Sequence, residues 1–232
     1  MASSSDNPTA GERKLLGWWI AVCAVVAIAL CVSQLAEIPV RSALRGYDNT
    51  FNYLWLRSVM VDGDWDFRND LEQCNTLDPA YRASALSLPA TRVGRIPNKY
   101  GVGWALLTIP FFLIADLIVT LGRSAGVWTY ANDGFNPVYQ YSIQLGHSAL
   151  GLLALGLAVR TLTSWTGDRF AALSGVVLVW SASSLMYYQS VNVSMSHGAA
   201  FFTVSLMAFA LCRAREDLAD EPTGNLDVKN SA

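Results

Sequence analysis

Apolar positions along the chain gather into long blocks: Leu15–Ala36, Gly101–Leu121, Tyr141–Thr163, Phe170–Tyr188 and Ser196–Cys212. Each is near the ~20 apolar residues that a helix needs to cross a bilayer. The pattern predicts an all-α integral membrane protein. Residues 1–14 and 213–232 show no apolar period and read as disordered tails flanking a membrane domain over 15–212. The first block also fits a cleaved signal peptide, but it is longer than the usual ~7–15-residue apolar core, so it reads as an uncleaved anchor.

Charge placement constrains how many blocks cross. Arg13 and Lys14 precede the first block and place its start in the cytoplasm. Arg160 and Arg169 lie between the third and fourth blocks, and Arg213 and Arg215 follow the fifth, so both sites read as cytoplasmic. The uncharged link QSVNVSM between the fourth and fifth blocks reads as external. Five crossings would put the C-terminus outside, against this charge pattern. The conflict disappears if Gly101–Leu121 does not cross. Pro110 lacks a backbone donor in its middle, Asp116 is costly at bilayer depth, and Trp104, Phe111 and Phe112 suit the headgroup level. The expected architecture is four transmembrane helices, about 15–36, 141–163, 170–188 and 196–212, with five as the alternative. An external loop, 37–140, then carries two interfacial helices, about 50–61 and 101–121. Both termini are cytoplasmic, and the membrane is the plasma (inner) membrane.

The first interfacial helix is weakly amphipathic, because Asn52, Arg57 and Ser58 do not share a face, so it is expected between protein and lipid. The turn signal Asp62-Gly63 ends it.

Composition sharpens this picture in a few places. The chain has 232 residues, 53% apolar and 15% charged, well below the roughly 25% charged of soluble domains. A net charge of −2 offers no basic face for nucleic acid. Cys23, Cys31 and Cys212 sit inside apolar blocks as small hydrophobes, and Cys74 reads as a free thiol in a polar loop.

The candidate chemistry lies in the external loop. Asp62, Asp64 and Asp66 start like a calcium loop, but the glycine and glutamate required at the sixth and twelfth positions are Phe67 and Gln73. A D-x-D sugar-nucleotide site needs a βαβ domain that the loop does not have. Sugar transfer from a lipid phosphate needs a base for the acceptor and cations for the leaving phosphate, both at headgroup level. Asp48 is placed for the first role, and Lys99, Arg95 and Arg92 for the second. The bland alternatives are an N-cap role for Asp48 and headgroup contact for the basic cluster. His147, in QLGHSALG, reads as a packed polar residue bonded across helices, and His197 as a possible functional residue of the loop. The small residues Gly146, Gly151 and Gly156 predict close helix contact in the third block.

The order of these features resembles the N-terminal module of the GT-C membrane glycosyltransferases, the superfamily of the protein O-mannosyltransferases and the lipid A aminoarabinose transferases. One span leads to an external aspartate, then to DGDWDFRND at 62–70, to a lysine before a second helix in RIPNKYGVGWALLTIPFF, and later to VNVSMSHGAAFF. The resemblance covers roughly residues 15–212. It implies a lipid-linked sugar donor, a polyprenyl phosphate sugar, used on the external face. It implies Asp48 as general base or ligand of a divalent metal, and Lys99 on the lipid phosphate. Asn49 stands where the family often has a second acid, and Ser194, Ser196 and His197 stand where it often has an aspartate, which puts those roles in doubt. Complete GT-C enzymes carry more spans, so the resemblance implies a fragment, a split N-terminal half completed by a downstream-encoded membrane partner, or a degenerate copy. The competing reading is a non-catalytic protein that binds membrane lipids or a partner through the loop. A transporter is disfavoured, because His147 alone among ionisable groups lies deep in the four expected spans.

Overall fold

A computed structural model describes residues 8–38, 44, 46–74 and 78–220, and the helices named below are those of the described residues. Helix α1 (Ala10–Glu37) opens on a capping box in which Thr9 and Glu12 satisfy each other's backbone amides. Then come α2 (Gly46–Arg57), a single π-turn (Ser58–Asp62), α3 (Phe67–Gln73) and α4 (Pro79–Leu86). The long helices α5 (Gly103–Ser124) and α6 (Pro137–Thr166) follow, then α7 (Arg169–Ala182), α8 (Leu185–Ser190) and α9 (Ser196–Asp220). Residues 10–14 and 213–220, expected in the tails, are therefore helical, while 1–7 and 221–232 lie outside the described residues.

Four helices are long and apolar enough to cross a membrane: α1, α5, α6 and α9. Their exposed faces carry Leu15, Val22, Leu113, Leu152 and Met207, as lipid-facing helices do. This membership differs from the expected one. The single span 170–188 is instead two helices with a break at Ser183, whose backbone is extended (φ −124°, ψ 175°). Ser183 Oγ accepts the Leu185 amide at 3.3 Å, and Ser181 Oγ bonds back to the Val177 carbonyl at 2.8 Å. Serines that bond locally to the backbone compete with helix continuation. The helix over 101–121 has the length and apolarity of a span and runs unbroken through Pro110.

The long helices sit at two levels along α6. Its first third packs on α5, antiparallel: Trp104 stacks on His147 at 4.9 Å between centroids, Ser142 donates to the Phe111 carbonyl at 2.6 Å, and Tyr139 donates to Asp116 at 2.6 Å. Gly146 permits this approach, because a Cβ there would lie 2.3 Å from the Phe111 ring. Thr108 and His147 Nε2 bond across the pair at 2.8 Å. The remainder of α6 faces α1, α7 and α9. Cys31 of α1 lies 4.0 Å from Ser148, and at the far end Ser164 bonds Glu216 of α9.

The densest core lies beside the first third of α6 and not among the outer spans. Phe51, Tyr53, Leu54 and Leu56 of α2 pack with Phe67 and Leu71 of α3, Trp104 and Phe112 of α5, and Tyr139 and Ile143 of α6. Tyr53 and Leu54 are fully buried. The aromatic run of α2 is thus covered by protein, which corrects its expected place against lipid. Cys74, expected in an exposed loop, is also fully buried in this core.

Candidate functional site

Helix α2 begins at Gly46, whose φ of +78° turns the chain sharply into the helix. Asp48 therefore lies inside the first turn and is not the N-cap. Its carboxylate still faces the positive end of the helix dipole, and it accepts the hydroxyl of Tyr100. Burial, then this bond to Asp48, raises the Tyr100 phenol above its usual range.

A short strap, residues 96–100, is clamped on α2. Asn98 Nδ2 donates to the Phe51 carbonyl at 2.8 Å, its Oδ1 accepts the Tyr100 amide at 3.0 Å, and Trp55 Nε1 donates to the Tyr100 carbonyl at 2.9 Å. Tyr47 stacks on Phe51 at 4.3 Å, and Phe51 lies 6.3 Å from the Tyr100 ring. Exposed Lys99 holds its Nζ 5.1 Å from the centre of the Tyr100 ring. Asp48 and Lys99, 51 positions apart in sequence, therefore meet at one tyrosine.

Asn49 is fully buried, and its Nδ2 donates to Asn192 Oδ1 at 2.7 Å. That bond docks the link between α8 and α9 onto α2. His197, five positions on at the exposed start of α9, packs its ring 4.4 Å from Tyr188. Arg92 and Arg95 are exposed in a turn closed by the Thr91 amide on the Arg95 carbonyl at 2.8 Å. Arg95 acts electrostatically on Asp64. Neither arginine forms a hydrogen bond or ion pair with Asp48, Tyr100 or Lys99 among the described residues.

The acidic string is built around Arg57. Arg57 is 2% exposed, and its guanidinium bonds Asp62, Asp70 Oδ1 at 2.6 Å and Gln73 Oε1 at 3.1 Å, while its Nε donates to the Asp133 carbonyl at 2.9 Å. It also lies 4.7 Å over the Phe135 ring. Gly134 makes room for it: a Cβ there would sit 2.8 Å from Arg57 Cγ, and its φ is +78°. Asp64 accepts Ser58 Oγ and the Asp66 amide, each at 2.9 Å, and the backbone bond, then the serine, lowers its carboxyl. Asp66 caps α3. Burial pushes the Asp70 carboxyl up to about 6, against the pull of Arg57.

These bonds bear on metal binding. Among the described residues, no group of three or more His, Cys, Asp or Glu side chains could hold a metal ion. Asp48 is a lone carboxylate that carries the Tyr100 hydroxyl, and Asn49 turns its amide to Asn192. This donor set does not fit a divalent ion.

Arg57 was discoverable as the one charge inside an aromatic run, with four aspartates within the next 13 positions. Tyr100 carried no signal beyond adjacency to Lys99. The fold defines an all-helical protein with several membrane-spanning candidates and a buried loop domain at one end. No protein-family model, curated protein or solved structure matches the chain.

Proposed function

We propose that the chain is a GT-C-type glycosyltransferase module, whole or as the N-terminal half of a split enzyme, that uses a polyprenyl-phosphate sugar on the external membrane face. The observation that carries this reading is the meeting of Asp48 and Lys99 across Tyr100. Transfer needs a carboxylate that can take a proton from an acceptor hydroxyl, beside a cation that can hold the departing phosphate. Asp48 already accepts a hydroxyl, that of Tyr100, which an acceptor can displace. Lys99 is exposed next to it and free for a phosphate.

The two levels of α6 support an orientation for this site. The stretch from His147 to Thr166 rises about 30 Å, the thickness of a hydrocarbon core. Helices α1, α7 and α9 flank that stretch, whereas α5 and the α2 core lie beside the earlier turns. A bilayer centred on the later stretch leaves the Trp104 end of α5, beside His147, at the headgroup level. We place both termini in the cytoplasm on the charges of Arg13, Lys14, Arg213 and Arg215, which makes the loop external, and we take the membrane to be the plasma membrane.

The test is turnover of a lipid-linked sugar by membranes with and without this protein, alone and with the product of a downstream membrane gene. Added turnover in either arm supports the reading. No added turnover in either arm, with the protein inserted and folded, removes it in favour of lipid or partner binding through the loop.

A further inference from the structure

A second feature lies toward the other end of α6 from the Asp48 cluster. Helices α1, α6, α7 and α9 border an open cleft of about 1820 Å³. This exceeds the roughly 300–1,000 Å³ of small-molecule pockets. Its walls are apolar, with Ala24, Ala27, Leu153, Gly156, Val176 and Phe209 among them. Gly156 widens it, since a Cβ there would meet nothing within 4 Å. At one end stand three arginines, Arg160, Arg169 and Arg213, and one carboxylate, Glu216, which is taken up by Ser164 and Arg213.

The arginines are not equivalent. Arg213 bonds Glu216 at 3.0 Å and lies 3.7 Å from Asp217. The nearby Asp168 spends its carboxylate on the Phe170 and Ala171 amides at the start of α7. Arg160 and Arg169 have no carboxylate partner among the described residues, and both line the cleft. They flank the tight turn at Gly167 (φ +69°) that joins α6 to α7. A helix-hairpin turn between two apolar helices lies where the hydrocarbon ends. The stretch of α6 lining the cleft, Ala149 to Ser164, rises about 22 Å, more than the depth of one leaflet.

We propose that this cleft binds an anionic phospholipid of the surrounding bilayer, its acyl chains between α1, α6, α7 and α9 and its phosphate on Arg160 and Arg169. A long apolar space, with two cations at its headgroup end that have no carboxylate partner among the described residues, matches a phosphate carrying hydrocarbon chains. Basic pockets between transmembrane helices take such headgroups. The bilayer lipid is present around these helices at bulk concentration, which favours it over a scarce carrier lipid. A protein helix in the same space would have to bring its own carboxylate to the arginines. The site is independent of the transferase reading.

The full chain is reconstituted in nanodiscs of dioleoylphosphatidylglycerol or dioleoylphosphatidylcholine, released into mild detergent and weighed by native mass spectrometry. The parent should retain phosphatidylglycerol in preference to phosphatidylcholine. Joint replacement R160Q and R169Q should reduce phosphatidylglycerol retention by roughly 30-fold, the factor two arginines give near an anionic headgroup. Gly156→Phe fills the cleft and should lower retention of both lipids while the arginines remain. Equal retention of the two lipids by the parent overturns the proposal without any variant. So does retention in the double variant equal to that of the parent, or a parent that carries a second protein chain and no lipid.

Discussion

Arg57 and Asp70 form an ion pair at 2.6 Å in which the side chains are 2% and 0% exposed. A helix that ends in a buried cation needs a nearby supply of buried or half-buried anions, and the string DGDWDFRND provides it. Asp62 and Asp70 take the guanidinium, Asp64 holds the turn between them, and Asp66 caps the next helix. The acidic, aromatic segment is thus the frame of the loop domain, and the proposed chemistry falls to the residues on either side of it.

Removing one partner of this pair should cost far more than removing both. Arg57→Met leaves Asp70 buried without its cation and should destabilise by about 3–5 kcal/mol. The double replacement of Arg57→Met with Asp70→Leu should recover most of that loss. Thermal unfolding in detergent measures both, and a double variant as unstable as the single one would show that Asp62 and Gln73 depend on Arg57 equally.

The same carboxyl gives a pH dependence of known sign. Its folded value, about 6, lies above the usual 3.8, so folding binds a proton between those values. The folded state gains from this group as pH falls from 7 toward 4, and loses that gain as pH rises through 6. Asp70→Asn has no such proton. The melting temperature of the parent relative to this variant should therefore rise on acidification from pH 7 to 5. A constant difference would place the Asp70 titration outside that window.

Asp48→Asn should insert and fold as the parent does, because an amide oxygen still accepts the Tyr100 hydroxyl. Transfer should fall by about 10²–10⁴, the usual loss of a general base. Unchanged transfer in this variant takes Asp48 out of the mechanism.

Lys99→Ala should weaken binding of a polyprenyl phosphate roughly five- to tenfold and leave a neutral polyprenol untouched. The fold should hold, because Lys99 is exposed and its ring contact is with Tyr100 alone. Equal phosphate binding by variant and parent would exclude Lys99 as its contact.

Orientation is testable at Val93, which is 77% exposed in the loop. In a background lacking the native cysteines, Val93→Cys should react with an impermeant thiol reagent in intact cells. Cys74 is unsuitable, being fully buried. A reporter fused to the C-terminus should give a cytoplasmic signal, and an external one would make α5 a true crossing.

The membrane character of the chain was legible in residues 15–36, 141–163 and 196–212, because about 20 apolar residues in a row leave few alternatives to a spanning helix. The bond across helices at His147 and the close approach at Gly146 also followed from local pattern, since a lone polar group and small residues in an apolar helix need a neighbouring helix. The fate of residues 46–100 was not legible. Periodicity reports one apolar face against a generic medium, and protein and lipid look alike to it. Only the tertiary structure decided that Tyr53 buries against Trp104 and Phe112 of α5. It also decided that the aspartates answer Arg57, and that Tyr100 joins Asp48 to Lys99. Each of these is a contact between distant positions, whose energy depends on burial and geometry that no local window contains.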